Sequence, residues 1–217
     1  TYISIRKFLT LGLVTSLAAV TGAASAQSIS VNFTESAGHA NQQIAPTNTA
    51  GLNGAANWNN TTAGGSGVQG SLLESTGATT GATVTWSSAG VWGDGTADPD
   101  ANLGIGDAQL ARGYLDENPG PGVSFTVTSI PYLSYDVVLY LSTDTEGGTY
   151  LPFTINGTSA SSTGTKSLYG NNPNWDASNT VQLGGLSGDL TVTGPVRNGP
   201  DRASVAGFQI VVPEPTT

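Results

Sequence analysis

The clearest pattern of apolar and polar positions lies between Tyr132 and Ile155. Apolar residues fill successive odd positions on both sides of a glycine-rich turn: Leu133, Tyr135, Val137, Leu139 and Leu141 before it, and Leu151, Phe153 and Ile155 after it. A period of two is typical of a half-buried β-strand, because successive side chains point to opposite faces. Two such runs joined by a short turn predict an antiparallel hairpin whose odd-numbered face lies in the core.

Shorter alternating runs predict further strands. They cover residues 28–33, 82–86, 110–115, 123–128, 158–162, 180–183, 190–193 and 204–212. Turn signals separate them, among them Pro119-Gly120-Pro121-Gly122 and Asn156-Gly157. No internal stretch has sustained helical periodicity. The pattern therefore predicts one all-β domain over residues 27–212, a jelly-roll-like antiparallel β-sandwich with long loops rich in Gly, Asn, Ser and Thr.

Composition and charge narrow the classes of function. The 217 residues include no Cys, which excludes disulfides, thiol catalysis and thiolate metal sites. The formal net charge is −9. Residues 1–26 include Arg6 and Lys7 and no acidic residue. The rest of the chain therefore has 4 basic and 15 acidic residues, a net charge of −11. Such a surface repels phosphate backbones, so we expect no nucleic-acid partner.

Residues 1–26 show the three-part pattern of a secretory signal peptide. Arg6 and Lys7 form the positive region, residues 8–20 the apolar segment, and Ala24-Ser25-Ala26 a small-residue cleavage site. The apolar segment is too short for a comfortable membrane span. We therefore expect an exported protein that begins at Gln27 after cleavage, the alternative being a buried N-terminal helix.

The stretch 212–217, Val-Pro-Glu-Pro-Thr-Thr, follows the last predicted strand. Here the sequence resembles the start of a PEP-CTERM sorting signal, and the matching residues, assigned to a segment 213–217, are Pro213, Glu214 and Pro215. The resemblance implies a following membrane helix and Arg-rich tail, neither of which lies within residues 1–217. It also implies processing by an exosortase in a bacterium that produces exopolysaccharide, with membrane contact only through that further segment.

The body of the chain also looks like the small β-sandwich proteins that carry this signal. The likeness rests on short segments at residues 58–60, 112–116, 135–137 and 207–211. It is diffuse, and it implies no established activity and no catalytic residues.

Catalytic groups are scarce. His39 is the only histidine, so a Ser-His-Asp triad would have to use it, and the chain has no G-x-S-x-G motif. A glycosidase needs two carboxylates that face each other across a cleft. Asp116 with Glu117 and Asp144 with Glu146 are candidate pairs, although acidic residues in turns are ordinarily solvated. The sequence therefore predicts no catalytic residue and a protein that is not an enzyme.

An acidic, glycine-rich loop at residues 90–107 is the candidate metal site. Its oxygen-bearing side chains are Asp94, Asp98, Asp100, Asn102 and Asp107. Ca²⁺ takes about six to eight oxygen ligands, and a loop of this composition can supply them. The spacing is not that of an EF-hand. The alternative is a solvated turn without a cation, and no other cofactor is expected.

Residues with the chemistry of a sugar site lie in or beside the predicted loops. They are Trp58, Asn59, Trp92, Tyr169 and Trp175. An aromatic ring can cover the apolar face of a sugar while a neighbouring amide or carboxylate bonds its hydroxyl groups. The alternative is that these rings plug the ends of the sandwich core, since each buries a large area.

Together these features favour an exported, non-enzymatic cell-surface or extracellular-matrix protein that associates with extracellular polysaccharide. A lectin-like carbohydrate-binding module, assisted by calcium, is the alternative. A polysaccharide hydrolase is less favoured.

Overall fold

A computed structural model describes residues 26–34, 42–93, 105–117, 120–143, 147–164 and 175–214. Strands make up 46% of this part of the chain and helix 6%, which confirms the predicted all-β class. Between residues 42 and 81, long loops surround two short strands, at Asn59–Thr61 and Ser66–Gln69.

The described residues form thirteen strands and one helix. In chain order the strands are β1 (Ser28–Phe33), β2 (Asn59–Thr61), β3 (Ser66–Gln69), β4 (Thr83–Ser87), β5 (Gly90–Gly93), β6 (Gly113–Asp116), β7 (Val123–Thr128), β8 (Tyr135–Tyr140), β9 (Phe153–Ile155), β10 (Thr158–Ala160), β11 (Thr180–Leu186), β12 (Leu190–Gly194) and β13 (Gly207–Val211). The helix, α1 (Ile105–Arg112), lies between β5 and β6.

Two large sheets pack face to face. The first has five strands in the order β11-β8-β13-β1-β2, and the second has six in the order β10-β9-β12-β7-β4-β3. Strands β5 and β6 form a small separate pair, and β1 and β2 are parallel while the other pairs are antiparallel. The sandwich-like arrangement agrees with the prediction, whereas a jelly-roll topology is not confirmed.

Aromatic rings join the two sheets across the core. Phe125 of β7 stacks on Phe208 of β13 with ring centroids 4.6 Å apart. Phe33 of β1 packs at a tilt against both Phe125 and Trp86 of β4. Stacked and tilted arrangements suit the charge distribution of aromatic rings, so these contacts add to the apolar area that the sheets bury.

A second apolar cluster covers the outer face of the five-stranded sheet. Its buried members are Ile44, Ala50, Trp58, Leu110, Tyr114, Val138, Tyr140 and Ala206. Residues 42–58 and α1, which we call the cover, supply the outer half of this cluster. Because both faces of the sheet are covered, β1 and β13 are buried at every position.

The predicted hairpin between β8 and β9 is wrong. The odd-numbered face of β8 does lie in the core, but β8 belongs to the five-stranded sheet and β9 to the six-stranded sheet. The chain between them therefore crosses from one sheet to the other. Leu133 is also not a core residue: it is 96% exposed, because β8 begins only at Tyr135.

The predicted strand at residues 110–115 is wrong in its first half. Helix α1 continues to Arg112, and β6 begins at Gly113. The buried side of α1 is formed by Gly106, Ala108, Leu110 and Ala111. Two helical turns are too short to produce the sustained periodicity by which a helix is recognised in a sequence.

Gln27 and Val212 lie side by side. The Val212 amide donates to the Gln27 carbonyl oxygen over 2.9 Å, next to the β1–β13 pair. We call this the termini end of the sandwich. Strand β1 leads away from it to Phe33, at the opposite end, which we call the loop end. No helix within the described ranges is long and apolar enough to cross a membrane.

Candidate functional site

Trp58 and Asn59, two of the predicted sugar contacts, lie in the interior. Trp58 is 4% exposed, and its ring meets Tyr140 edge-on with centroids 5.9 Å apart. Asn59 is 6% exposed, and its amide nitrogen donates to the carbonyl oxygens of Ser30 and Leu73 over 2.9 Å each. Neither side chain presents a face to a ligand in solvent, so Trp58 fits the alternative of a ring that plugs the fold.

Trp175 and Asp107 form a junction beneath the loop end. The Asp107 Oδ1 atom accepts hydrogen bonds from the Trp175 indole over 2.9 Å and from the Gly51 amide over 2.7 Å. The Trp175 ring meets Tyr140 edge-on with centroids 4.9 Å apart. The junction therefore fastens the cover to the chain segment that leads into β11.

Burial raises the pKa of Asp107, and the two hydrogen bonds lower it by less. The side chain acts as an acceptor for two half-buried donors in this arrangement. The other four residues of the proposed calcium site, Asp94, Asp98, Asp100 and Asn102, lie outside the described residues. Within the described ranges, no group of three or more His, Asp or Glu side chains could hold a metal ion.

Trp92 is the predicted sugar contact that faces solvent. It is 51% exposed and lies on β5 opposite Tyr114 of β6. Trp92 thus offers an open aromatic face, whereas the prediction for Tyr169 falls on a residue outside the described ranges. The predicted loop over residues 90–107 is wrong at both ends, because residues 90–93 form β5 and residues 105–107 belong to α1.

The carboxylates of Asp116 and Glu117 share one arginine. The Arg202 Nη1 atom lies 3.5 Å from Asp116 Oδ1 and 3.5 Å from Glu117 Oε1. Glu117 is fully buried, and burial raises its pKa, with the Asp116 charge raising it further and Arg202 lowering it. Two carboxylates on one guanidinium group do not face each other across a cleft, as a glycosidase requires.

The other candidate catalytic residues, His39, Asp144 and Glu146, lie outside the described residues. Predictions that rest on them therefore stay predictions. The same holds for Pro215, whereas Pro213 and Glu214 are described and exposed beyond the end of β13.

A groove beside β11 was not predicted. Its volume is about 220 Å³, and its lining residues are Asn53, Asp136, Val137, Val138, Gln182, Leu183, Gly184 and Val211. The register of β11 against β8 shifts between Leu183 and Leu186, and Asp136 Oδ1 accepts a 2.9 Å hydrogen bond from the Gly185 amide. β-Bulges of this kind often lie beside functional sites.

The sequence signal for this groove is the Gly184-Gly185 pair, which lies between the predicted strands 180–183 and 190–193. Gly185 has a φ of 72°, a conformation that glycine adopts without strain, and it lies within β11. The groove places one carboxylate and two amide side chains beside apolar residues, a mixture suited to a small polar ligand.

Comparison with known proteins identifies no family for the chain. No family model, no curated protein and no solved structure matches it. The functional argument therefore depends on the sequence patterns and the geometry described above.

Proposed function

We propose that the chain is an exported bacterial cell-surface or extracellular-matrix protein, processed by an exosortase, that associates with extracellular polysaccharide and catalyses no reaction. The observation that carries the proposal is the position of the Pro-Glu-Pro motif. Its first two residues, Pro213 and Glu214, are exposed directly after β13, the last strand.

Accessibility of this motif is what a processing enzyme needs. Strand β13 pairs with β1 on one side and with β8 on the other, and it ends at Val211. Residues 212–214 belong to neither sheet. An enzyme can therefore reach the motif without unfolding the sandwich, in agreement with the role that the resemblance assigns to it.

The position of the two chain ends also suits a surface protein. Because Gln27 and Val212 lie together, an anchor that follows the motif would hold the sandwich by its termini end. Trp92 and Gly93 are near the loop end, since β6, their partner strand, approaches β1 at Phe33. The exposed ring of Trp92 would then face away from the cell.

Processing in an exosortase-bearing host tests the proposal. The complete reading frame, with an epitope tag after Gln27, would be expressed in such a host and in its exosortase deletion strain. We expect a shortened, surface-exposed product in the first strain only. The variant Glu214→Ala should block shortening, and Asp189→Ala, which removes an exposed carboxylate elsewhere, should not.

Two results would contradict the proposal. One is an unshortened product that is the same in both strains. The other is a reading frame that stops directly after Thr217, since no helix and basic tail would then follow the motif.

A lectin-like module is the second candidate, and the exposed ring of Trp92 favours it. A glycan array with and without Ca²⁺ tests this function. Trp92→Ala should abolish binding of any glycan that the protein selects, whereas Leu133→Ala, which removes an exposed apolar side chain, should leave it unchanged. A polysaccharide hydrolase has the least support, because Asp116 and Glu117 both contact Arg202. Release of reducing sugar from a polysaccharide would support this function.

A further inference from the structure

One row of hydroxyl side chains crosses the whole outer face of the six-stranded sheet. The register of neighbouring strands aligns Ser159, Thr154, Thr193, Ser124, Ser87 and Ser66. A second, parallel row consists of Thr191, Thr126, Thr85 and Val68. We call these two rows the hydroxyl face. Every member is exposed or half-buried, while the residues between them on β4, β7 and β12 point into the core.

The hydroxyl face carries no charge. None of the six strands contains an acidic or a basic residue, although the chain has a net charge of −9. A charged ligand gains no ion pair on such a face, and an anionic ligand is repelled by the protein as a whole. The chemistry of the face therefore favours a neutral partner.

The spacing of the rows suits a polymer with many hydroxyl groups. Neighbouring strands lie about 4.8 Å apart, so six strands carry a row of roughly 24 Å. Each Ser or Thr hydroxyl can donate one hydrogen bond and accept two, and each Thr adds a methyl group. A sugar chain likewise alternates hydroxyl groups with C–H surfaces. The hydroxyl groups of the protein face can therefore bond those of the sugar, and the threonine methyl groups can contact the C–H surfaces.

The twist of the sheet favours a flexible chain over a flat solid. Neighbouring strands are rotated by about 20–25° relative to each other, so a row across six strands curves. A rigid crystalline surface would meet only part of a curved row. A single polysaccharide chain can follow it.

We propose that the hydroxyl face binds a neutral polysaccharide chain laid along its rows. This inference rests on the proposed association with extracellular polysaccharide, and it names both the surface and the class of polymer. The surface differs from the loop aromatics and from the groove beside β11. It is built entirely on strands, which hold the hydroxyl groups in fixed register without a preceding rearrangement.

Affinity electrophoresis of the purified protein in gels that contain a soluble polymer tests the inference. The neutral polymers are dextran, pullulan and galactomannan, and alginate is the acidic comparison. We expect retardation by at least one neutral polymer and none by alginate. The variant Thr126→Val/Thr191→Val loses two central hydroxyl groups but keeps β-branched side chains, and its affinity should fall about tenfold, which corresponds to two net hydrogen bonds.

Two further variants make the test specific. Thr47→Val/Thr49→Val removes two exposed hydroxyl groups from the cover on the opposite side of the molecule and should change nothing. Thr126→Ser/Thr191→Ser keeps the hydroxyl groups and should retain most of the affinity. Circular dichroism and the midpoint of thermal unfolding should be the same for all variants.

The outcomes separate the inference from the proposed function. Retardation of the wild-type protein that is unchanged in Thr126→Val/Thr191→Val would overturn the inference and leave the association with polysaccharide standing. Stronger retardation by alginate than by the neutral polymers would also overturn it. Absence of retardation by every polymer would overturn both the inference and the association, whereas exosortase processing would remain as a separate result.

Discussion

The five-stranded sheet is covered on both faces at β1 and β13, whereas the six-stranded sheet is covered on one face. On β1 the outward side chains of Ser30 and Asn32 are 1% and 0% exposed. On β12 the outward side chains of Thr191 and Thr193 are exposed. Both strands alternate apolar with small polar residues, so the same pattern accompanies burial in one sheet and solvent contact in the other.

Hydrogen bonds explain how polar residues are accommodated under the cover. Gln209 Nε2 donates to Ser30 Oγ over 3.1 Å, and the Tyr140 hydroxyl donates to Gln209 Oε1. The Leu52 amide in turn donates to the Tyr140 hydroxyl oxygen over 2.9 Å. A buried polar group is costly without a partner, and here the cover and the neighbouring strands supply the partners. On the six-stranded sheet the outward side chains are exposed or half-buried, and Ser124 Oγ donates to the Ser87 carbonyl oxygen over 3.4 Å.

The largest expected difference in the free energy of unfolding is between substitution of a buried tryptophan in the cover and substitution of an exposed one. Trp58→Ala should destabilise the protein by about 3–5 kcal/mol, because it leaves a cavity between the cover and the sheet. Trp92→Ala removes a ring that is 51% exposed and should cost much less. Urea unfolding of both variants measures the difference. Equal costs would mean that the cover contributes no packing energy.

A smaller effect is expected at the junction that fastens the cover. Asp107→Ala leaves the Gly51 amide and the Trp175 indole without their acceptor, which should cost about 1–3 kcal/mol. Asp107→Asn keeps a carbonyl acceptor and should cost less. If the two variants unfold at the same urea concentration, these hydrogen bonds do not hold the cover in place.

The pH dependence of the same junction should be modest. Since the pKa of Asp107 is raised in the folded protein above its ordinary 3.8, the folded state binds the proton more tightly than the unfolded state. The stability of the wild type relative to Asp107→Asn should therefore fall as pH rises from below 3.8 through the folded pKa. Urea unfolding of both proteins from pH 3.5 to 7 measures this difference; a relative stability that rises with pH would contradict the raised pKa.

The smallest effect on the free energy of unfolding is expected for a substitution on the hydroxyl face. Thr193→Val should change the free energy of unfolding by no more than about 0.5 kcal/mol, because the side chain is exposed and valine is also β-branched. Ser30→Val, at a buried outward position of the covered sheet, should cost more through crowding and loss of the Gln209 contact. Similar changes in the free energy of unfolding for the two variants would contradict the difference in burial between the outer faces of the two sheets.

The sequence predicted the strands correctly where the pattern of apolar and polar residues depends only on neighbouring positions. Strands β1 and β7 have the predicted bounds of residues 28–33 and 123–128, because alternation along one strand is a property of neighbouring residues. Helix α1 was missed, since its eight residues are too few for a helical period. At the candidate site, the sequence singled out Trp58 and Trp92 as rings of equal promise. Only contacts with residues remote in the chain, such as Tyr140, distinguish the buried ring from the exposed one.

The sequence by itself determined the all-β class, the positions of most strands and the core-facing residues of β8 and β9. Tertiary structure decided the neighbour of each strand, so that β8 pairs with β13 and β11 and not with β9. It also decided which outer face receives a cover and which presents the hydroxyl face. The physical reason is that a period of two fixes the direction of side chains within one strand. Pairing and covering depend on contacts between segments that are distant in sequence, which no local pattern records.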